Sequence, residues 1–156
     1  MKNLLLFLLL FSFCGFSQTN KEKELQKEKD MQNMYLSFLN SEGFKGEVGS
    51  SGDIKFKNEG LVYYINVSDD EYYFEIQRWM GNSNDGCSNK IKKIVKETCF
   101  TYKSLTVKTV GDDCASIKLV SSSLLVNKKD FEGIFYRSLN ILKLGKNRLD
   151  ELYSEE

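Results

Sequence analysis

Apolar residues fall along this chain in two rhythms, one helical and one alternating, and their order predicts an α+β domain. Met31, Met34, Tyr35, Phe38 and Leu39 have the one-sided spacing of an amphipathic helix. Gly43 suits the left-handed position after its last turn, where Phe44 can fold back onto the helix end. GEVGSSG at 46–52 reads as a loop; it has no lysine and no helix behind it, so it is not a phosphate cradle. From Asp53 to Lys57, Ile54 and Phe56 alternate with lysines, the pattern of a half-buried strand. Asn58, Glu59 and Gly60 predict a three-residue turn, and the stretches 61–67 and 72–79, joined by the polar turn 68–71, complete an antiparallel meander.

Strand side chains alternate between faces, so the meander sorts into two sets. Ile54, Phe56, Tyr63, Ile65, Val67, Tyr72, Phe74 and Ile76 are expected to meet the core; Lys55, Lys57, Tyr64, Asn66, Tyr73, Glu75, Gln77 and Trp79 are expected on the far side. GNSNDG at 81–86 breaks the sheet, and Cys87, Ile91, Ile94, Val95 and Cys99 then repeat at helical spacing. Leu105 and Val107, then Ile117 and Leu119, predict a second hairpin turned at Gly111 to Asp113. A last helix opens at the cap Asn127, with Asp130 three residues on, and buries Phe131, Ile134, Phe135, Leu139 and Leu142; Leu149 and Leu152 continue its stripe beyond Gly145. The predicted order is α-β-β-β-α-β-β-α, with helices packed on one face of an antiparallel sheet.

The N-terminus changes the picture of where this domain works. Lys2 precedes a short apolar run, Leu4 to Phe11, followed by small residues at Gly15 and Ser17. This is the pattern of a cleavable signal peptide over 1–17, cut between Ser17 and Gln18, and it predicts export to the periplasm, the cell surface or the medium. Lipidation at Cys14 competes, although Phe13 before it is larger than such sites prefer, and an uncleaved anchor is the third reading. The polar stretch 18–30 reads as a solvated lead-in, which leaves 31–156 as one domain. No second apolar run reaches membrane length, so no integral segment is expected after removal of the leader.

Three stretches carry a family resemblance: FLNSEGFKGEV (38–48), GDIKFKNEGLVYYINVSDDEYYFEI (52–76) and NKIKKIVK (89–96). A helix ending in Glu-Gly-Phe, an Ile-x-Phe strand, a Glu-Gly turn, a Tyr-Tyr-Ile strand and an acidic turn resemble the YbjN-type family over roughly Met31 to Leu142. That family has the fold of type III secretion chaperones. The resemblance implies no catalytic residues, and its chaperone relatives bind polypeptide, commonly as dimers. Better-known members are cytoplasmic, and the leader here is a departure from them.

Composition narrows the chemistry. The chain has no histidine, so the usual general base and the commonest metal ligand are missing, and neither a Ser-His nor a Cys-His nucleophile can be assembled. With 22 basic and 22 acidic residues there is no overall basic excess to attract nucleic acid. Asp69, Asp70 and Glu71, like Asp112 and Asp113, sit where turns favour such residues. GNSNDG lacks the first acid and the closing glutamate of a calcium loop. Asn66-Val67-Ser68 matches a glycosylation acceptor, but the Phe- and Leu-rich leader reads as bacterial. No cofactor and no metal site are expected.

Cys87, Cys99 and Cys114 remain after the leader, without metal-knuckle or redox spacing. If one helix carries both Cys87 and Cys99, about 18 Å separates them and no bond can form. If that helix runs back along the sheet, the turn at 111–113 returns beside its start. A Cys87 to Cys114 disulfide is then expected, with Cys99 buried as a small apolar residue. Tyr64, Tyr73 and Trp79 on the far face form the candidate partner surface, for a protein, a peptide or a second copy of the chain. Cross-strand aromatic pairing is the plainer explanation of the same residues. The functional expectation is a non-enzymatic exported binding or chaperone-like module using a sheet face or edge. The alternative is a small hydrolase working with carboxylates or a bound cation.

Overall fold

A computed structural model describes the backbone of residues 2–81 and 86–155, and side chains from residue 21 onward within those ranges. Its elements are α1 (Lys2–Ser41), β1 (Glu47–Val48), β2 (Ile54–Asn58), β3 (Leu61–Asn66), β4 (Tyr73–Gly81), α2 (Asn89–Thr101), β5 (Leu105–Val110), β6 (Ser116–Leu124), a 3-10 turn (Lys128–Asp130) and α3 (Phe131–Ser154). The strands form one antiparallel sheet in the order β1-β2-β3-β4-β6-β5. This is an α+β domain with its helices on one face of the sheet.

Local chemistry accounts for the element ends. α1 stops where Gly43 takes φ of 83°, and the Phe44 N–H returns to the Leu39 carbonyl at 2.8 Å. Phe44 then packs its ring against Phe56 and Phe135. The first hairpin is tighter than the sequence suggests. Asn58 pairs with Leu61, so only Glu59 and Gly60 turn the chain, both at positive φ (50° and 78°), as a two-residue turn demands. Ser88 caps α2 through the Ile91 N–H, and Asn127 and Asp130 cap each other's backbone before α3.

The core lies between the sheet and the helices. Ile54, Phe56, Tyr63, Ile65, Phe74 and Ile76 from the meander, with Leu105, Val107, Ile117 and Leu119 from the hairpin, meet Met31, Tyr35 and Leu39 of α1, Ile94 of α2 and the long stripe of α3. Phe131 and Phe135 are fully buried, each worth roughly 2–3 kcal/mol of apolar transfer. α3 passes over Gly145 because a Cβ there would come within 2.4 Å of a Leu105 methyl.

Several expectations need correction. The stretch 18–30 is part of α1; its lysines, glutamates and glutamines are good helix formers, and Gln26 bonds Asp30 one turn on. GEVGSSG contributes the two-residue strand β1. Cys87 precedes α2 and does not ride on it, since Ser88 caps the helix. Tyr72 is 51% exposed, because β4 begins one residue later and the turn resets the alternation. Gln77 is on the far face as expected but buried there, 5% exposed.

Candidate functional site

Three helices crowd one side of the sheet and leave the other open, so the far-face residues define the candidate site. Across the middle of that face run Tyr64, Gln77, Val120 and Thr106, each opposite the next in register. Gln77 and Val120 are 5% and 6% exposed although no helix lies above them. One row further along, Trp79 lies opposite Lys118, and Lys118 opposite Lys108. Trp79, the chain's single tryptophan, is 43% exposed.

Register decides which of the three candidate aromatics meet. Tyr73 and Trp79 lie six residues apart on β4, about 20 Å at the rise of a strand, with Tyr64 between them on the adjacent strand. Tyr73 sits at the opposite end of the face, across from the exposed Leu124. The phenol of Tyr73 donates to Glu75 Oε2 at 2.8 Å. Its pKa is raised, first by burial; a hydrogen bond with Ser122 opposes that and Glu75 reinforces it. Glu75 also lies 3.7 Å from the Lys118 ammonium, which is 5.4 Å from the centre of the Trp79 ring. The open face is therefore a polar and aromatic network.

Both sheet edges are partly blocked to a further strand. At one margin β1 has two residues, and Glu47 ties across to Lys55 at 2.9 Å. At the other, α2 and its exit block part of β5. The Leu105 N–H donates to the Tyr102 carbonyl at 3.1 Å. The Val107 N–H donates to Cys99 Sγ at 3.0 Å, and the Cys99 thiol donates back to the Val107 carbonyl at 3.1 Å. Cys99 is thus half-buried, packed against the core and also bonded to the outward-facing backbone of β5.

Cys87 and Cys114 are joined by a disulfide, with Cα atoms 5.0 Å apart and a separation of 27 positions in sequence. The bond ties the approach to α2 to the turn before β6, beside the end of the sheet that carries Trp79. Ser17 and Gln18 lie within the helical backbone of α1, and their side chains, like that of Cys14, are outside the described residues. Of GNSNDG, residues 82–85 are outside them as well.

The acidic turns are engaged locally. Asp70 accepts the Tyr72 N–H at 3.0 Å, Asp113 accepts the Ala115 N–H at 3.0 Å, and Glu71 lies 3.6 Å from Lys128. Among the described residues no three Cys, Asp or Glu side chains converge on a point where a metal ion could sit. Two open grooves, of about 490 and 420 Å³, are lined by Phe44, Glu47 and Lys57 and by Met80, Asp150 and Tyr153 respectively. Each has one carboxylate, already bridged to Lys55 or Lys146.

Sequence reading missed three groups. Arg78 is on the helix side, 7% exposed, with its guanidinium 5.9 Å from the Tyr63 ring centre and Nη1 unbonded. Continuing the alternation from Phe74 and Ile76 would have placed it there. The same rule places Lys108 and Lys118 on the open face. That face gathers Lys55, Lys57, Lys108 and Lys118, a local basic set that a balanced total charge conceals.

The fold and open face together define a class: a small α+β domain in which one antiparallel sheet is backed by helices on a single side. The E. coli protein YbjN, described with its crystal structure as a candidate transcription regulator, is built this way. The two align with a TM-score of 0.59 over 80% of this chain and 93% of that one, at 8% sequence identity, a likeness of fold. No protein-family profile matches the sequence, and no curated protein matches it. Among the described residues, no helix is long and apolar enough to cross a membrane.

Proposed function

We propose that this chain is an exported, non-enzymatic binding module that holds a protein or peptide against the open face of its sheet. The observation that carries the reading is the pairing of one helix-backed face with one bare face on which Trp79 is exposed between polar neighbours. Aromatic residues with a polar surround are the usual anchors of recognition surfaces. Partly blocked edges at Val107 and at the short β1 favour docking on the face over strand addition. The engagement of the clustered acids by turn backbone and lysines favours binding over hydrolysis. Export rests on the leader-like run from Leu4 to Phe11.

The test is a photo-crosslinking residue placed at Thr106, exposed in the middle row, in cells that make the full chain. The expected result is one discrete adduct that disappears when Trp79→Ala is added and that a crosslinker at Asn147, on the exposed side of α3, does not form. An adduct indifferent to Trp79, or formed equally from Asn147, would remove the support. Fractionation of the same cells checks export: a cytoplasmic, unprocessed chain would end that part of the reading.

A further inference from the structure

The row Trp79, Lys118, Lys108 contains an arrangement that sheets normally avoid. Lys108 and Lys118 are directly opposite each other on the open face, and like charges at such positions repel. Lys118 resolves its own half of the conflict by leaning onto β4, where both the Trp79 ring and Glu75 receive it. Lys108 is left exposed, and no ion pair is formed by it among the described residues. Among the described residues, a cation without a counter-charge therefore stands two strands from an exposed indole, on a face that no described helix or strand covers.

From this geometry we infer the chemistry of the partner: an acidic peptide segment in which a carboxylate meets Lys108 while a neighbouring apolar side chain covers Trp79. The inference rests on the reading of the open face as a docking surface and adds the partner's character. Charge complementarity selects the carboxylate, and the distance across two strands, roughly 10 Å, is spanned by the outward-reaching side chains of residues i and i+2 of one extended segment, which share a face about 7 Å apart. A nucleic-acid strand is the poorer match. It needs cations along its path and successive stacking rings, whereas Lys55 and Lys118 are already bridged to carboxylates and Glu75 lies beside the row.

The single tryptophan makes the row directly observable, because intrinsic indole fluorescence reports Trp79 alone. The probe is an acetylated, amidated octapeptide, Glu-Ser-Leu-Ser-Glu-Ser-Leu-Ser, which sets glutamate and leucine on one face of an extended segment, titrated into the full chain. A saturable Trp79 shift is expected, weakened by added salt and weakened roughly tenfold by Lys108→Glu, with a smaller loss for Lys108→Ala. The same peptide with lysine in place of glutamate is expected to bind at least about tenfold less well. Equal binding of the lysine peptide, or indifference to Lys108→Glu, would overturn the inference. So would an eight-nucleotide oligothymidylate that binds as tightly as the peptide, or a shift that appears on concentration alone together with a dimer in sedimentation. If the Thr106 crosslink is formed and depends on Trp79 while the glutamate peptide leaves the fluorescence unchanged, the docking surface stands and its acidic preference falls.

Discussion

The two faces of this sheet are built from the same strands with the same alternation, yet they reach their order by different means. On the helix side, Phe56, Tyr63 and Phe74 meet rings from other elements: Phe131 lies against Tyr35 and Phe74, and Phe135 against Phe38, Phe44 and Phe56. On the open side, Gln77 and Val120 are nearly as buried as those core residues, 5% and 6% exposed. One face holds the fold together, while the other is organised around charges and an indole that the fold does not consume. Under the proposed function, stability and recognition belong to opposite sides of a single layer.

The sharpest way to break this comparison is to truncate one large ring on each side. Phe135→Ala removes a side chain packed against three other phenylalanines and is expected to cost about 3–5 kcal/mol in urea denaturation. Replacing Cys87 and Cys114 together by serine frees a 27-residue loop and is expected to cost about 3 kcal/mol, with a lower urea midpoint and a steeper slope, because the unlinked denatured chain exposes more surface. A third effect belongs to the helix side alone. Burial pushes the Tyr35 phenol up to about 12 and leaves its hydroxyl without a partner. The unfolded chain ionises this group near pH 10, so its contribution is complete below pH 10 and is lost as pH rises through 12, a fall of about 2–3 kcal/mol. Tyr35→Phe is expected to flatten that part of the alkaline stability profile; an unchanged profile would show that the ring is solvated. The smallest effect is on the open side, where Trp79→Ala should change stability by less than about 1 kcal/mol. A loss as large as that of Phe135→Ala would mean that the open face is structural after all.

What could be read from the sequence follows the same division. Period-two alternation identified Ile54, Phe56, Tyr63, Ile65, Phe74 and Ile76 as core because packing against helices demands apolar groups at those positions. It misplaced Tyr72, since one residue of turn shifts the phase, and it stopped short of Arg78 and Lys118, although the rule extends to both. The helical register of 18–30 was masked by its charge: no apolar stripe marks a helix whose described side chains are almost all in solvent. Neighbour relations were beyond local pattern. Nothing in the wording of the second hairpin says that β6, and not β5, lies beside β4. The part played by Cys99 is of the same kind, arising only when α2 brings its thiol to the backbone of Val107.

The nine-pair ladder between β4 and β6 is the seam where the meander and the hairpin become one sheet, and it has a kinetic consequence. Its Gly81 and Ser116 end closes a span of about 35 residues in a thiol-reduced chain. Once Cys87 and Cys114 are linked, the shortest covalent path between those ends falls to about 8 residues. Loop-closure entropy then predicts nucleation of the seam roughly tenfold faster, so oxidised protein should refold well ahead of reduced protein in stopped-flow measurements.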